Sequence, residues 1–315
     1  MGIVAYATIP ILAPQHKANH VYKTLKIGSI TLGGQPDANP ALPIGSIFYD
    51  GHSIVRDAWA GDFDEKRAAM RLQSVNKAAE QCGLTTGVDI VAASEEAMEK
   101  YIEFVVPRTP LPIMINGSEA EVRIAGLRKC QELDVLDRVI YASLNEDTEP
   151  EELEALQKVR PAGVMVLAAN VMNPTPEGAV EMMEETLLPM LAKIGVDVPI
   201  VDVGVMDPPS IGLSLRSVRL IKETYGFPAG GAFSNAVFTW PGLRERGRDA
   251  LNATLVASAA MFRAYGGDFL HYGIVEKAAV VTQAVAACEV YLGYAAQAYD
   301  GATLSKPHPI QHMFK

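Results

Sequence analysis

Cysteine is scarce, positive charge is in deficit, and long apolar runs are missing. The three cysteines, Cys82, Cys130 and Cys288, are far apart and odd in number. Each falls in an apolar helical pattern, which fits a reducing compartment and argues against a disulfide framework or a C-x-x-C metal site. Lys+Arg total 27 against 37 Asp+Glu, a net charge of −10. Such a chain lacks the basic face that a nucleic acid or an anionic membrane surface requires. Apolar stretches such as 278–287 and 163–169 fall short of the ~18 residues that a membrane span needs. The opening MGIVAYATIPILAP has no basic n-region and no A-x-A site, and Tyr6 stands where a myristoylation signal needs Ser or Thr. Together these predict a cytoplasmic protein with no nucleic-acid partner and no membrane insertion.

What is present is a core. At 315 residues and 49% hydrophobic the chain can bury a large interior, and no linker divides it. Only 33–43 (GGQPDANPALP) and the tail 304–315 are loop-like. Between them, strands are expected at 44–49, 87–92, 111–115, 138–143, 163–169, 199–205, 229–234 and 269–272. Runs such as VMVLAA, without polar alternation, are buried on both faces, as in a parallel sheet. Amphipathic helices follow: Ala68, Leu72, Val75, Ala79 and Cys82 share one face, as do Ile211, Leu215, Val218, Ile221 and Tyr225. Asp207-Pro208-Pro209 is the expected start of the second of these. Eight such pairs predict an α/β fold, a single-domain (β/α)8 TIM barrel. A strand at 26–32 is left over as an N-terminal β extension covering one end. The expected division is 1–43 extension and loop, 44–303 barrel, 304–315 tail. An open doubly wound sheet is the alternative; no G-x-G-x-x-G follows the first strand, which weakens a dinucleotide-binding version.

In a barrel, chemistry sits where strands hand over to the following loops. Those positions carry Asp50-Gly51-His52, Asp89, Asn116, Asn145, Asn170, Asp202, Asn235 and His271. Lysine is absent from them, which argues against a Schiff-base aldolase. Asp202 lies inside the apolar run PIVDVGV, where an ionised carboxylate needs donors or a ligand. Asp89 has a second reading, as a buried strand carboxylate bonding neighbouring backbone. Asn116 and Asn145 could simply cap helices. The His16/His20 and His308/His312 pairs read as solvated polar residues. A mononuclear metal hydrolase would use Asp50, His52, Asp202 and His271, but carboxamides on the central strands are poor ligands for transition metals. A ring of Asp and Asn suits a pterin, whose N–H and NH2 donors fit a carboxylate fork and whose carbonyl fits an amide.

The segments GGQPDANPALPIGSIFYDGHSIV (33–55), VDIVAAS, PIMINGS, PIVDVGVMDPPS and GGAFSNAVFTWPG resemble the H-subunit family of tetrahydromethanopterin S-methyltransferase. That family includes soluble bacterial methyltransferases that move methyl between corrinoid proteins and tetrahydrofolate. A fainter resemblance reaches the methyltetrahydrofolate:corrinoid methyltransferases and dihydropteroate synthase, pterin-binding barrels. The resemblance implies Asp202 as the pterin-gripping carboxylate and Asn235, paired with Ser234, as the contact to the methyl-bearing N5. Asn116 stands where the corrinoid methyltransferases carry Asp, so Asp89 is expected to share the pterin's donors, with Asn145 and Asn170 completing the site. The implied activity is methyl transfer between a methyl-Co(III) corrinoid protein and N5 of tetrahydrofolate, without a metal bound by this chain. A tetrahydromethanopterin-specific methyltransferase subunit is the alternative. Cobalamin would arrive on a separate corrinoid-binding protein. A homodimer is expected, with 275–291 or 182–191 as its surface.

Overall fold

The computed structural model describes residues 21–312; the His16/His20 pair lies outside them. Eight parallel strands close into a barrel: β1 (Leu42–Ile47), β2 (Gly87–Ala92), β3 (Ile113–Gly117), β4 (Val139–Leu144), β5 (Gly163–Leu167), β6 (Ile200–Asp202), β7 (Ala229–Gly231) and β8 (Phe269–Ile274). All eight expected strands are present, shifted at their ends by a few residues, which is ordinary for boundaries set by fraying hydrogen bonds. β8 pairs with β1, which closes the cylinder.

The expected helices surround it: α1 (Glu65–Cys82), α2 (Glu95–Val105), α3 (Ala120–Glu132), α4 (Pro150–Lys158), α5 (Pro176–Met182), α6 (Ile211–Tyr225), α7 (Arg248–Ala264) and α8 (Ala278–Tyr299). α1 buries Ala68, Leu72, Val75, Ala78 and Ala79, the face its spacing predicts. α5 continues through a π-helical turn (Met183–Leu187) into a further helical stretch, Leu188–Ile194. Pro189 has no N–H to offer the preceding turn, which accounts for the widened register. α6 begins at Ile211 behind Ser210 rather than at Asp207. Asp207 instead accepts the Ser210 N–H within the turn before the helix.

The N-terminal extension differs from the single strand expected at 26–32. It is an antiparallel hairpin of Thr24–Ile27 and Ile30–Gly33, because Gly28, at φ 56°, turns the chain between two short halves. Ile27 and Leu32 are fully buried and join Leu42, Ile44, Met114, Ile140, Met165, Ile200 and Phe269 in one cluster. Those partners are the inward residues of the lower strands, so the hairpin plugs the N-terminal end of the barrel. A second hairpin, Val55–Asp57 with Asp62–Phe63, lies between β1 and α1. Strands of three and two residues carry no readable period.

Beyond the barrel, Arg263 on α7 and Glu289 on α8 are buried as a pair at 2.6 Å, and Glu289 also accepts the Ala41 N–H. This pins the segment entering β1 against the last two helices. The stretch Val275–Tyr299 is long and apolar enough to cross a membrane by length and composition. It extends well past the run ending at 287 because Glu289 is the one charged residue from 278 to 299. In the fold it packs on α1 and α7 as a barrel helix. The tail carries a short helix, Pro309–His312, and His308 is buried rather than solvated. Its Nδ1 accepts the Ile310 N–H, and its ring lies against Gly293.

Candidate active site

The barrel interior changes character along its axis. Inward side chains recur every second residue, so Leu42 and Ile44 are followed on β1 by Ser46, Met114 by Asn116, Ile200 by Asp202 and Phe269 by His271. The lower layers are apolar. The uppermost layer, at the C-terminal strand ends, is polar.

One hydrogen-bonded group occupies that layer. Asp89 on β2 is 1% exposed. Its Oδ2 accepts from Ser46 Oγ at 2.7 Å and faces His271 Nε2 at 3.0 Å and Asn116 Nδ2 at 3.4 Å. Asp89 Oδ1 and His271 Nδ1 are buried without a hydrogen-bond partner. The alternative reading of Asp89, a carboxylate tied to strand backbone, does not hold: its partners are side chains from β1, β3 and β8.

Asp202 faces the same mouth from β6. Its Oδ1 accepts the Gly204 N–H at 2.8 Å. Gly204 is required there twice over: its φ is +69°, and a Cβ would lie 2.7 Å from that of Ala169. Burial pushes the Asp202 carboxyl up to about 6, while the Gly204 N–H and the neighbouring His271 pull it back. Such a group changes charge just below neutrality.

The remaining expected residues divide. Ser234 and Asn235 open a short helix, Ser234–Thr239, directly after β7. Ser234 is buried with an unpartnered hydroxyl, and its Cβ lies 2.9 Å from where a Cβ on Gly273 would stand. That contact sets Asn235, which is exposed, beside the end of β8. Asn116 lies within β3, and Glu119 holds the N-cap position of α3, so Asn116 is no helix cap. Asn145 and Asn170 are committed locally. Asn145 Oδ1 accepts the Asp147 N–H, and Asn170 Oδ1 accepts the N–H groups of Met172 and Asn173. Both shape the loops after β4 and β5.

Two candidates drop out of any metal set. Asp50 is exposed, and His52 is a buried brace. Its Nδ1 accepts the Phe48 N–H at 3.0 Å, so Nε2 carries the proton toward Glu276 Oε1, also at 3.0 Å. Glu276 also pairs with Arg71. Burial alone would raise the Glu276 carboxyl, but His52 and Arg71 hold it below its usual value. Asp50, His52, Asp202 and His271 therefore do not converge, and no group of three or more His, Cys, Asp or Glu able to hold a metal occurs among the described residues.

Ser46 was not anticipated. The signal for it is the two-residue alternation Leu42, Ile44, Ser46, in which a small polar residue takes the position next to the mouth.

The mouth is thus a carboxylate- and amide-lined floor able to receive N–H donors, with an imidazole tied into it. Comparison with known folds agrees with the architecture. Dihydropteroate synthase from Xanthomonas albilineans superposes with a TM-score of 0.58 at 15% identity, over 86% of this chain and 98% of that one. The Yersinia pestis enzyme gives 0.60 at 13% identity over 85% and 99%. In sequence, the H subunit of tetrahydromethanopterin S-methyltransferase from Methanothermobacter thermautotrophicus is 33% identical over 284 residues, 87% of this chain and 92% of that protein. The H subunit of the putative methyltransferase mtx from Methanosarcina acetivorans is 29% identical over 295 residues, covering 90% and 95%. The profile of the family described as tetrahydromethanopterin S-methyltransferase MtrH subunit matches residues 20–303. The chain is a member of that methyltransferase family, built as a closed (β/α)8 barrel.

Proposed function

We propose that this protein transfers a methyl group between N5 of a reduced pterin and a corrinoid carried by a separate protein. The observation that carries the reading is the polar top layer in a family of methyltransferases: Asp202 and Asp89 offer carboxylate oxygens where the chemistry of a barrel resides. Asp202 accepts the N–H and NH2 donors of the pterin's pyrimidine edge. Asn116 and Asp89 share what remains. Asn235 addresses N5, offering N–H to its lone pair or C=O to its proton without titrating.

The relatives' names favour tetrahydromethanopterin over the tetrahydrofolate expected from the bacterial members. The shared pterin head is what the floor reads, and the two carriers differ beyond it. Trp59, Met172, Met206 and Trp240 are exposed on the loops after β1, β5, β6 and β7. An apolar rim of this kind suits the approach of a partner protein bearing the corrinoid.

A second copy of the chain is the proposed occupant of the outer face of α7 and α8. Val280, Tyr291, Tyr294 and Met261 are exposed there, and α8 carries no charge apart from the buried Glu289. In the other expected surface, 182–191, the apolar Met182, Met183, Leu187 and Leu191 are buried in the core, which favours the α7/α8 face.

The direct test is methyl transfer from methylcobalamin, or from a methylated corrinoid protein, to tetrahydromethanopterin and to tetrahydrofolate in parallel. Transfer to either supports the reading, and the faster acceptor names the carrier. No transfer to either refutes it.

A further inference from the structure

Methylating N5 leaves a proton to be placed, and the proposed pterin site contains a group with no other evident duty. His271 Nε2 points at Asp89 Oδ2, a carboxylate that only accepts, so Nε2 carries hydrogen. The neutral ring then bears its lone pair on Nδ1. That atom is buried and has no partner, and neither has Asp89 Oδ1 on the other side of the pair. Buried acceptors left without donors are uncommon. Two of them on one buried pair mark a place prepared for a donor that visits.

The position suits such a visitor. His271 lies on β8 two residues below Gly273, and Gly273 abuts Ser234, the neighbour of Asn235. The end of β8 therefore lies beside the start of the helix that carries Asn235. The ionisable groups facing His271 are Asp89 from β2 and Asp202 from β6, and β1 contributes the hydroxyl of Ser46 at 3.2 Å. Both of these ionisable neighbours are acids.

We propose that His271, oriented by Asp89 and Ser46, accepts the N5 proton at Nδ1 during methylation and returns it in the reverse reaction. This rests on the methyltransferase reading above. In the forward step the N5 lone pair forms the new N–C bond. The Co–C bond of the methylcorrinoid substrate breaks, and both its electrons stay with cobalt as Co(I). N5, now bearing both methyl and hydrogen, releases its proton to Nδ1, and the resulting imidazolium is flanked by the two carboxylates. In reverse, the imidazolium protonates the methylated N5 and turns it into a leaving group. Asp89 and Ser46 are positioning residues: they fix the tautomer that leaves Nδ1 free.

The test is single-turnover methyl transfer from methylcobalamin across pH 5 to 9, with pterin affinity measured separately. His271→Gln should slow transfer about a hundredfold, a usual share for general acid–base assistance. Pterin Kd should stay within about threefold, and one ionisation should vanish from the pH profile. Asp89→Asn, which removes the carboxylate that fixes the ring's tautomer, should also slow transfer. An unchanged profile in His271→Gln, or a loss wholly explained by Kd, overturns the inference while leaving the methyltransferase reading standing. A wild-type protein that transfers no methyl overturns both. A readout on the unaltered protein comes from 15N NMR of labelled histidine. Nδ1 of neutral His271 should appear unprotonated, with the hydrogen on Nε2; an Nδ1-protonated neutral ring would contradict the proposal.

Discussion

His271 Nε2 lies 3.0 Å from Asp89 Oδ2, joining β8 to β2 over the top of the intervening β1. The two residues are 182 apart in sequence, so only closure of the cylinder brings them together. That pair, with Asp202 opposite, turns a packed apolar interior into a polar floor at one end and makes the following outcomes specific.

Pterin affinity should depend on pH through Asp202. The carboxylate form accepts the pterin's donors, and its folded-state pKa is raised to about 6. Binding is therefore full above that value and is lost as pH falls through it. Kd at pH 5 should be about tenfold higher than at pH 8. Titration calorimetry across this range checks the effect, with Asp202→Asn expected to remove it. A wild-type Kd flat from pH 8 to pH 5 would show that the carboxylate is not the pterin's acceptor.

Asn235→Ala should act on rate more than on affinity. Its exposed amide serves a nitrogen whose charge changes in the transition state. We expect kcat lower by roughly 10²–10³, as for other single preorganised polar contacts, with little change in Kd. Steady-state kinetics at saturating pterin separates the two. Weakened binding with normal kcat would make Asn235 a binding residue only.

Replacing His52 should cost stability. His52→Ala leaves the Phe48 N–H without its acceptor and strips Glu276 of a buried partner. Loss of such bonds typically costs about 2–4 kcal/mol in total. Urea unfolding followed by fluorescence measures it, and a variant as stable as the parent would show that this brace is replaceable.

The outer face of α8, uncharged apart from the buried Glu289, together with exposed Met261 on α7, predicts association. Light scattering should give twice the 33.9 kDa chain mass. Tyr291→Glu together with Tyr294→Glu should return the monomer. A 33.9 kDa particle for the unaltered chain would refute the dimer.

The barrel was largely legible because parallel strands buried on both faces read as apolar runs, as GVMVL does in β5. Asp89, Asn116, Asp202 and His271 were legible as polar residues ending such runs. Their connections were not. Ser46 is an inconspicuous residue until the alternation along β1 points it inward, and no local pattern pairs Asp89 on β2 with a histidine on β8. Asn145 and Asn170 carry the same residue type as Asn116 at similar places. They bond their own loops because they fall past the last strand residue, a distinction of a few positions that boundary reading does not resolve. The hairpin preceding α1, with Trp59 in its turn, was invisible for the opposite reason, being too short to show a period.

The account rests most directly on a reduced pterin binding over Asp202. A bidentate, charge-assisted contact of this kind contributes roughly 1.5–3 kcal/mol. Calorimetric titration at pH 7.5 with tetrahydromethanopterin and tetrahydrofolate should show stoichiometric binding of at least one. Asp202→Ala, folded as judged by circular dichroism, should raise that Kd by roughly ten- to a hundredfold, the same contact energy expressed as a ratio. No binding of either pterin at millimolar concentration, or an equal Kd in the Asp202→Ala protein, would contradict the account.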